Sequence, residues 1–238
     1  PPRDGKARTM KLFLSPFKAA IYLGVFLVLC IAVPLGRFEF GDGGLWTIAG
    51  AATLWILFAI GGSNWPAMNQ LGASFTRWMN SAVLTALVAA VALAPLTAAS
   101  AVYHQAKSPY YMWYDPFIVT NGQPMPWIDG NGEPYLAEGA AQDLSSAAST
   151  VLLHFVLFFT MALVGVAVGL ARDTRMQWFM LGSMFAGGFV GAFSAALSAD
   201  ALALSNPTTP YITFVTVAGL VVLAASAVVF ARTHRFVR

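Results

Sequence analysis

Charge is scarce in this 238-residue chain: Asp, Glu, Lys and Arg together make up 10% of it. Soluble domains carry roughly 25%, so this composition excludes an ordinary water-facing globule and belongs with membrane proteins. Cysteine is almost absent. The single Cys30 excludes an intrachain disulfide and any CxxC-type metal site. Three scattered histidines, with no H-E-x-x-H and no G-x-S-x-G, leave zinc- and serine-hydrolase chemistry without its residues. No G-x-x-x-x-G-K-[ST] occurs, and "DGKA" near the start has neither the glycine spacing nor a strand before it. The chain therefore carries no ATP-hydrolysing loop of that kind.

Apolar residues fill the space that charge leaves: 58% of the chain is hydrophobic, with a mean hydropathy of +0.69. A helix needs about 20 apolar residues to cross the hydrocarbon core. Six runs approach that length, at Ala19–Leu35, Leu45–Ile60, Ala82–Val102, Val151–Leu170, Trp178–Leu197 and Tyr211–Phe230. The first lacks a small-x-small cleavage site and is read as a retained span. The expectation is an all-α polytopic protein over residues 1–238, one domain of six transmembrane helices. None of these runs contains Asp, Glu, Lys or Arg, which argues against a proton relay or ion-coupled pump.

Lys and Arg in short loops set orientation. With the first residues inside, the inner side holds Arg3, Lys6, Arg8, Lys11, Lys18, Arg77, Arg172, Arg175, Arg232, Arg235 and Arg238, and the outer side only Arg37 and Lys107. Both termini are expected in the cytoplasm. The net charge of +3 is thus a topology signal and points to no nucleic-acid partner.

Residues 10–18, "MKLFLSPFK", alternate basic and bulky apolar side chains and suit a short interfacial helix. A second amphipathic stretch, 64–78, falls on the cytoplasmic side between spans two and three. Asn64 is placed to cap a helix starting at Trp65 with Pro66 in its first turn. Trp65, Met68 and Leu71 share one face, Gly72 ends the turn, and Ser74 caps the next helix three residues before Arg77. The spacing predicts a helical elbow of about two turns lying at the membrane surface, which serves either as an interfacial re-entry or as a contact for a partner.

The longest excursion, 104–150, is expected outside. Asn121-Gly122 after Phe117-Ile118-Val119 reads as a hairpin turn, and Asp129-Gly130-Asn131-Gly132 as a second. Tyr111, Trp113, Tyr114 and Trp127 make this loop an aromatic cap, suited to anchoring at the interface or to touching a substrate. Gly165 and Gly169 in span four, and Ser183, Gly187 and Gly191 in span five, recur at spacings of four and predict close helix packing. His104 and His154 fall at matching depth toward the outer side, where two imidazoles could hold a haem or stand unrelated.

Six spans, a basic amphipathic start and the elbow "WPAMNQLGASFTRWMNSAVL" together resemble a type-2 ATP-binding-cassette exporter permease of the small actinobacterial kind. Pro66, Ala67, Leu71, Gly72, Ala73, Ser74 and Arg77 match its elbow pattern, while Phe75-Thr76 stand where basic residues usually do. The resemblance implies a bacterial plasma-membrane subunit that exports an amphipathic substrate. Its elbow would engage a separate cytoplasmic ATPase, with ATP and Mg on that subunit and no cofactor here. It also implies a second permease half, identical or related. Two rival readings stand beside it: a haem-bearing or structural subunit of a larger membrane enzyme, and a scaffold that binds a partner through its outer loop.

Overall fold

The computed structural model describes residues 12–14, 19–40, 43–107, 115, 117–124, 128, 130–132, 138–140, 143–172, 175 and 177–182. Their elements in chain order are α1 (Ala19–Phe40), α2 (Gly43–Gly62), a six-residue α3 (Trp65–Gln70), α4 (Phe75–Lys107), β1 (Thr120–Pro124), β2 (Glu138–Ala140) and α5 (Leu144–Leu170). Among the described residues four helices are long and apolar enough to cross a membrane, and they cover the first four expected spans. They mark the chain as a multi-pass membrane protein. The two remaining expected spans lie outside the described residues, apart from a helical stretch over 177–182.

The observed helices outrun the apolar runs that predict them. At 1.5 Å per residue the 33 residues of α4 span roughly 50 Å and the 27 of α5 roughly 40 Å, against a hydrocarbon core of about 30 Å. α4 runs through Pro95 as one continuous helix and takes His104 into its last turn. At the other end of the bundle from the elbow, Asp143 caps α5: its side chain accepts from the Ser146 N–H at 2.8 Å.

α5 forms the centre of the bundle, packed most extensively on α2 and then on α4, while α1 lies against α4 and α2. Small residues make this possible. A Cβ on Gly169 would collide with the Ala59 carbonyl oxygen and stand 2.8 Å from the Ser63 nitrogen. One on Gly165 would collide with the Trp55 carbonyl oxygen and stand 3.0 Å from Phe58 Cβ. The two glycines thus lie directly on the α2 backbone, where dispersion contacts take the place that the hydrophobic effect holds in water. Ala82, Ala86, Ala90, Ala94 and Ala98 form a buried stripe at spacings of four along α4. The glycine pattern draws attention to α5 in the sequence, but nothing marks out one alanine stripe in a chain so rich in alanine.

The loop between α4 and α5 carries one antiparallel ribbon, as its hairpin signals predict. Thr120 pairs with Ala140 and Pro124 with Glu138, with an irregularity between them. Asn121-Gly122, expected as a turn, lies inside β1, whereas the second expected turn is found: the chain turns near 130–132, where Gly132 adopts φ +87°. Pairing with β2 has overridden the local preference of the dipeptide. On the same loop Ile118 is buried against Ala101 of α4.

Candidate functional site

The elbow is held in place by aromatic rings. Trp65 of α3 meets Phe75 edge-on at 5.2 Å and Trp78 at 5.1 Å, and Trp78 is wholly buried. Phe13 enters this cluster from the N-terminal side, stacked on Phe58 at 5.3 Å and tilted on Trp78 at 5.6 Å. The Phe13 N–H donates to Ser81 Oγ at 3.0 Å. Within 10–18 the described residues are 12–14, and Phe13 is an inserted plug where an interfacial helix alone would leave it at the surface.

Backbone geometry supports the elbow in part as the sequence predicts. Gly72 takes φ +81° and closes the turn, with its N–H donating to Asn69 O and that of Ala73 to Met68 O, both at 3.0 Å. Ser74 Oγ accepts from the Arg77 N–H at 3.3 Å. Asn64 does not cap α3: it is already in helical conformation, at φ −83° and ψ −5°, and its side chain makes no cap bond. The shared apolar face also divides. Trp65 and Met68 turn toward the core cluster, whereas Leu71 is 81% exposed. Pro66, Gln70, Gly72 and Arg77 are exposed around it, as is Ser74.

The sequence gives little warning of what lies at the other end of the bundle. Arg37, expected in an outer loop, stands in the last turn of α1, inside a candidate span, and is fully buried. Its Nη2 lies 2.9 Å from Asp115 Oδ2, and Asp115 is equally buried. Arg37 Nη1 donates to Thr97 O at 2.9 Å and approaches Ser100 Oγ at 3.4 Å, and Nη2 also donates to Thr47 Oγ1. One guanidinium therefore joins α1, α2, α4 and the loop. Asp115 Oδ1 accepts from the Phe117 N–H at 3.1 Å. Burial raises the Asp115 carboxyl above the usual carboxylate range, against the opposing pull of Arg37 and of that N–H.

Beside this latch, Thr150 Oγ1 accepts from the Val119 N–H at 3.1 Å and ties the loop to α5. His154, wholly buried, has Nδ1 2.9 Å from Thr150 O, which requires the proton on Nδ1. Its ring stands 6.1 Å from both Phe117 and Phe158. His104, in the last turn of α4, is half-buried and edge-on to Tyr103 at 5.7 Å. Among the described residues no group of three or more His, Cys, Asp or Glu is placed to hold a metal ion.

Of the residues singled out from sequence, the elbow set comes together, and so do Gly165 and Gly169 against α2. Tyr111, Trp113, Tyr114 and Trp127, like Ser183, Gly187 and Gly191, lie outside the described residues. The arrangement offers a rigid surface at one end and a polar latch at the other. Comparison with protein families, characterised proteins and solved structures finds no match for the chain.

Proposed function

We propose that this chain is the membrane-spanning half of an ATP-binding-cassette exporter in a bacterial plasma membrane. The observation that supports it best is the elbow: a six-residue helix between two spans, braced by Trp65, Phe75 and Trp78 yet presenting an unsupported leucine. A re-entry turn needs neither the bracing nor the exposed Leu71. On this reading the elbow faces the cytoplasm and seats in a groove of a separate ATPase that carries ATP and Mg, while a second permease half completes the path. The substrate is amphipathic, of the lipid, peptide or drug-like kind.

Orientation is tested first. A reporter fused after Arg238 gives a cytoplasmic signal and one inserted at Gly130 an external one, because basic residues concentrate on the elbow side. A cytoplasmic signal from Gly130 removes the topology on which the reading depends.

The elbow is tested by Leu71→Asp. Met68 is half-buried against the bundle, so changing it would also disturb the fold, whereas Leu71 has no such role. A leucine side chain buried in a partner contributes about 1.5–3 kcal/mol, so the substitution weakens the partner roughly tenfold to a hundredfold. Tagged chain is drawn from native membranes, and the eluate is assayed for Mg-ATP hydrolysis and for a Walker-motif subunit by mass spectrometry. Equal recovery of that activity with wild type and Leu71→Asp would reduce the elbow to an interfacial turn. A second reading, a scaffold that binds a partner through its outer loop, draws on the latch that fixes Asp115 to the bundle. It expects no ATPase in either eluate.

A further inference from the structure

An apolar groove of about 140 Å³ runs between α1, α2 and α4 on the elbow side of the bundle, walled by Leu14, Phe26, Leu54, Leu57, Phe58 and Ala89. An engineered apolar cavity of about 150 Å³ stays dry and takes up benzene, so this space suits a short length of hydrocarbon and repels water. It opens sideways. Leu23 and Val88 on its rim are 58% and 45% exposed, and both belong to helices that cross the membrane. Among the described residues these rim side chains stand uncovered at membrane depth, which suits the opening to meet lipid.

One polar atom breaks the lining. Tyr22 is 8% exposed and borders the groove, and its hydroxyl has no hydrogen-bond partner. The Asn64 amide comes near it without reaching hydrogen-bond geometry, and Asn64 Nδ2 is likewise buried and without a partner. Tyr22 lies in the first turn of α1 and Asn64 at the corner between α2 and α3, so both mark the elbow end of the groove. Thr85, the remaining polar side chain in the lining, has its hydroxyl committed to Ser81 O at 2.7 Å. A buried polar group left without a partner costs free energy. A hydrocarbon tail attached to an acceptor group would satisfy both parts of this site at once.

We infer that the groove binds one phospholipid from the leaflet on the elbow side, with an acyl chain between α1 and α4 and an ester or phosphate oxygen accepting from Tyr22 and Asn64. The site stands whether or not the chain works with an ATPase. A phospholipid fits better than a free alkane because the donors sit at one end only. It fits better than a soluble ligand because the opening is at membrane depth. A lipid there would bridge α1, the helix with the least buried span, to α4.

The test uses the full chain, purified in mild detergent, stripped of lipid and examined by native mass spectrometry. Phosphatidylglycerol, phosphatidylcholine and palmitate, all of matched chain length, are added back separately. Wild type takes up one equivalent of phospholipid. Tyr22→Phe keeps the ring and loses only the donor, and its affinity falls roughly three- to tenfold, the range for one hydrogen bond. Ala89→Phe fills the groove and lowers occupancy at least tenfold. Should Ala89→Phe fail to fold, wild type and Tyr22→Phe still decide the matter. Absence of a one-to-one phospholipid adduct overturns the inference, as does binding by Tyr22→Phe, or by a folded Ala89→Phe, as tight as that of wild type. Uptake of palmitate without phospholipid overturns it too, because the ester and phosphate would then contribute nothing.

Discussion

Asp115→Ala should destabilise the protein by about 3–5 kcal/mol, the usual cost of stranding one member of a buried ion pair. The substitution leaves the Arg37 guanidinium buried at the junction of α1, α2 and α4, with its remaining bonds to Thr97 O, Ser100 and Thr47 all neutral. Arg37→Met should cost a similar amount, because Asp115 would then be buried with only the Phe117 N–H. The double variant Arg37→Met with Asp115→Leu should recover much of the loss, since two apolar groups need no compensation. Equilibrium unfolding of the four proteins in one detergent forms a double-mutant cycle. If the two single losses simply add in the double variant, the pair is not coupled and the latch does not exist. A change in m-value for the double variant alone would mean that the loop has come away from the helices.

Gly169→Leu should prevent the bundle from forming, and even Gly169→Ala should lower stability by at least 1–3 kcal/mol, the ordinary cost of overpacking. The added carbon has nowhere to go: Ala59 O, Ser63 N and Gly62 Cα all belong to the α2 backbone or its last turn and cannot rotate aside. Gly24 supplies a control of opposite sign. It lies within α1, and a Cβ added there would meet nothing within 4 Å, so Gly24→Ala should gain up to about 1 kcal/mol from helix propensity. Thermal midpoints by fluorescence-detected gel filtration separate the two. Equal midpoints for Gly169→Ala and wild type would show that α2 and α5 are free to part.

The elements that the sequence announces are those whose causes are local. An apolar run of about 20 residues is long enough to cross a membrane as a helix, and the first four runs, of about that length, are found as helices. Gly72 and Ser74 act on neighbours within three residues, and both do what their spacing predicts. Asn64 fails because α2 leaves only Ser63 and Asn64 between itself and α3, too little for an extended capping residue. Met68 and Leu71 share a helix face, yet whether each is covered depends on Trp65, Phe75 and Trp78 folding over α3, which is tertiary information. The Arg37–Asp115 pair is the extreme case. Arg37 sits where an apolar run ends, and a run-based reading assigns it to the loop; nothing near it in the chain names Asp115 as its partner. The one legible hint is that Arg37 stands almost alone among acids on its side of the membrane.

Phe13 carries a consequence for the order in which the molecule is made. Its ring closes the aromatic cluster and its N–H is bonded to Ser81, 68 positions further along the chain. When Phe13 leaves the ribosome neither Trp78 nor Ser81 has been synthesised, so the earliest residue of the cluster must wait for the latest. Two membrane crossings are threaded in the interval. The elbow consequently acquires its rigidity only when the segment ahead of α1 folds back upon α4, after both have been made. A bulky fusion placed just ahead of residue 12 would interfere with that moment and leave every span in place.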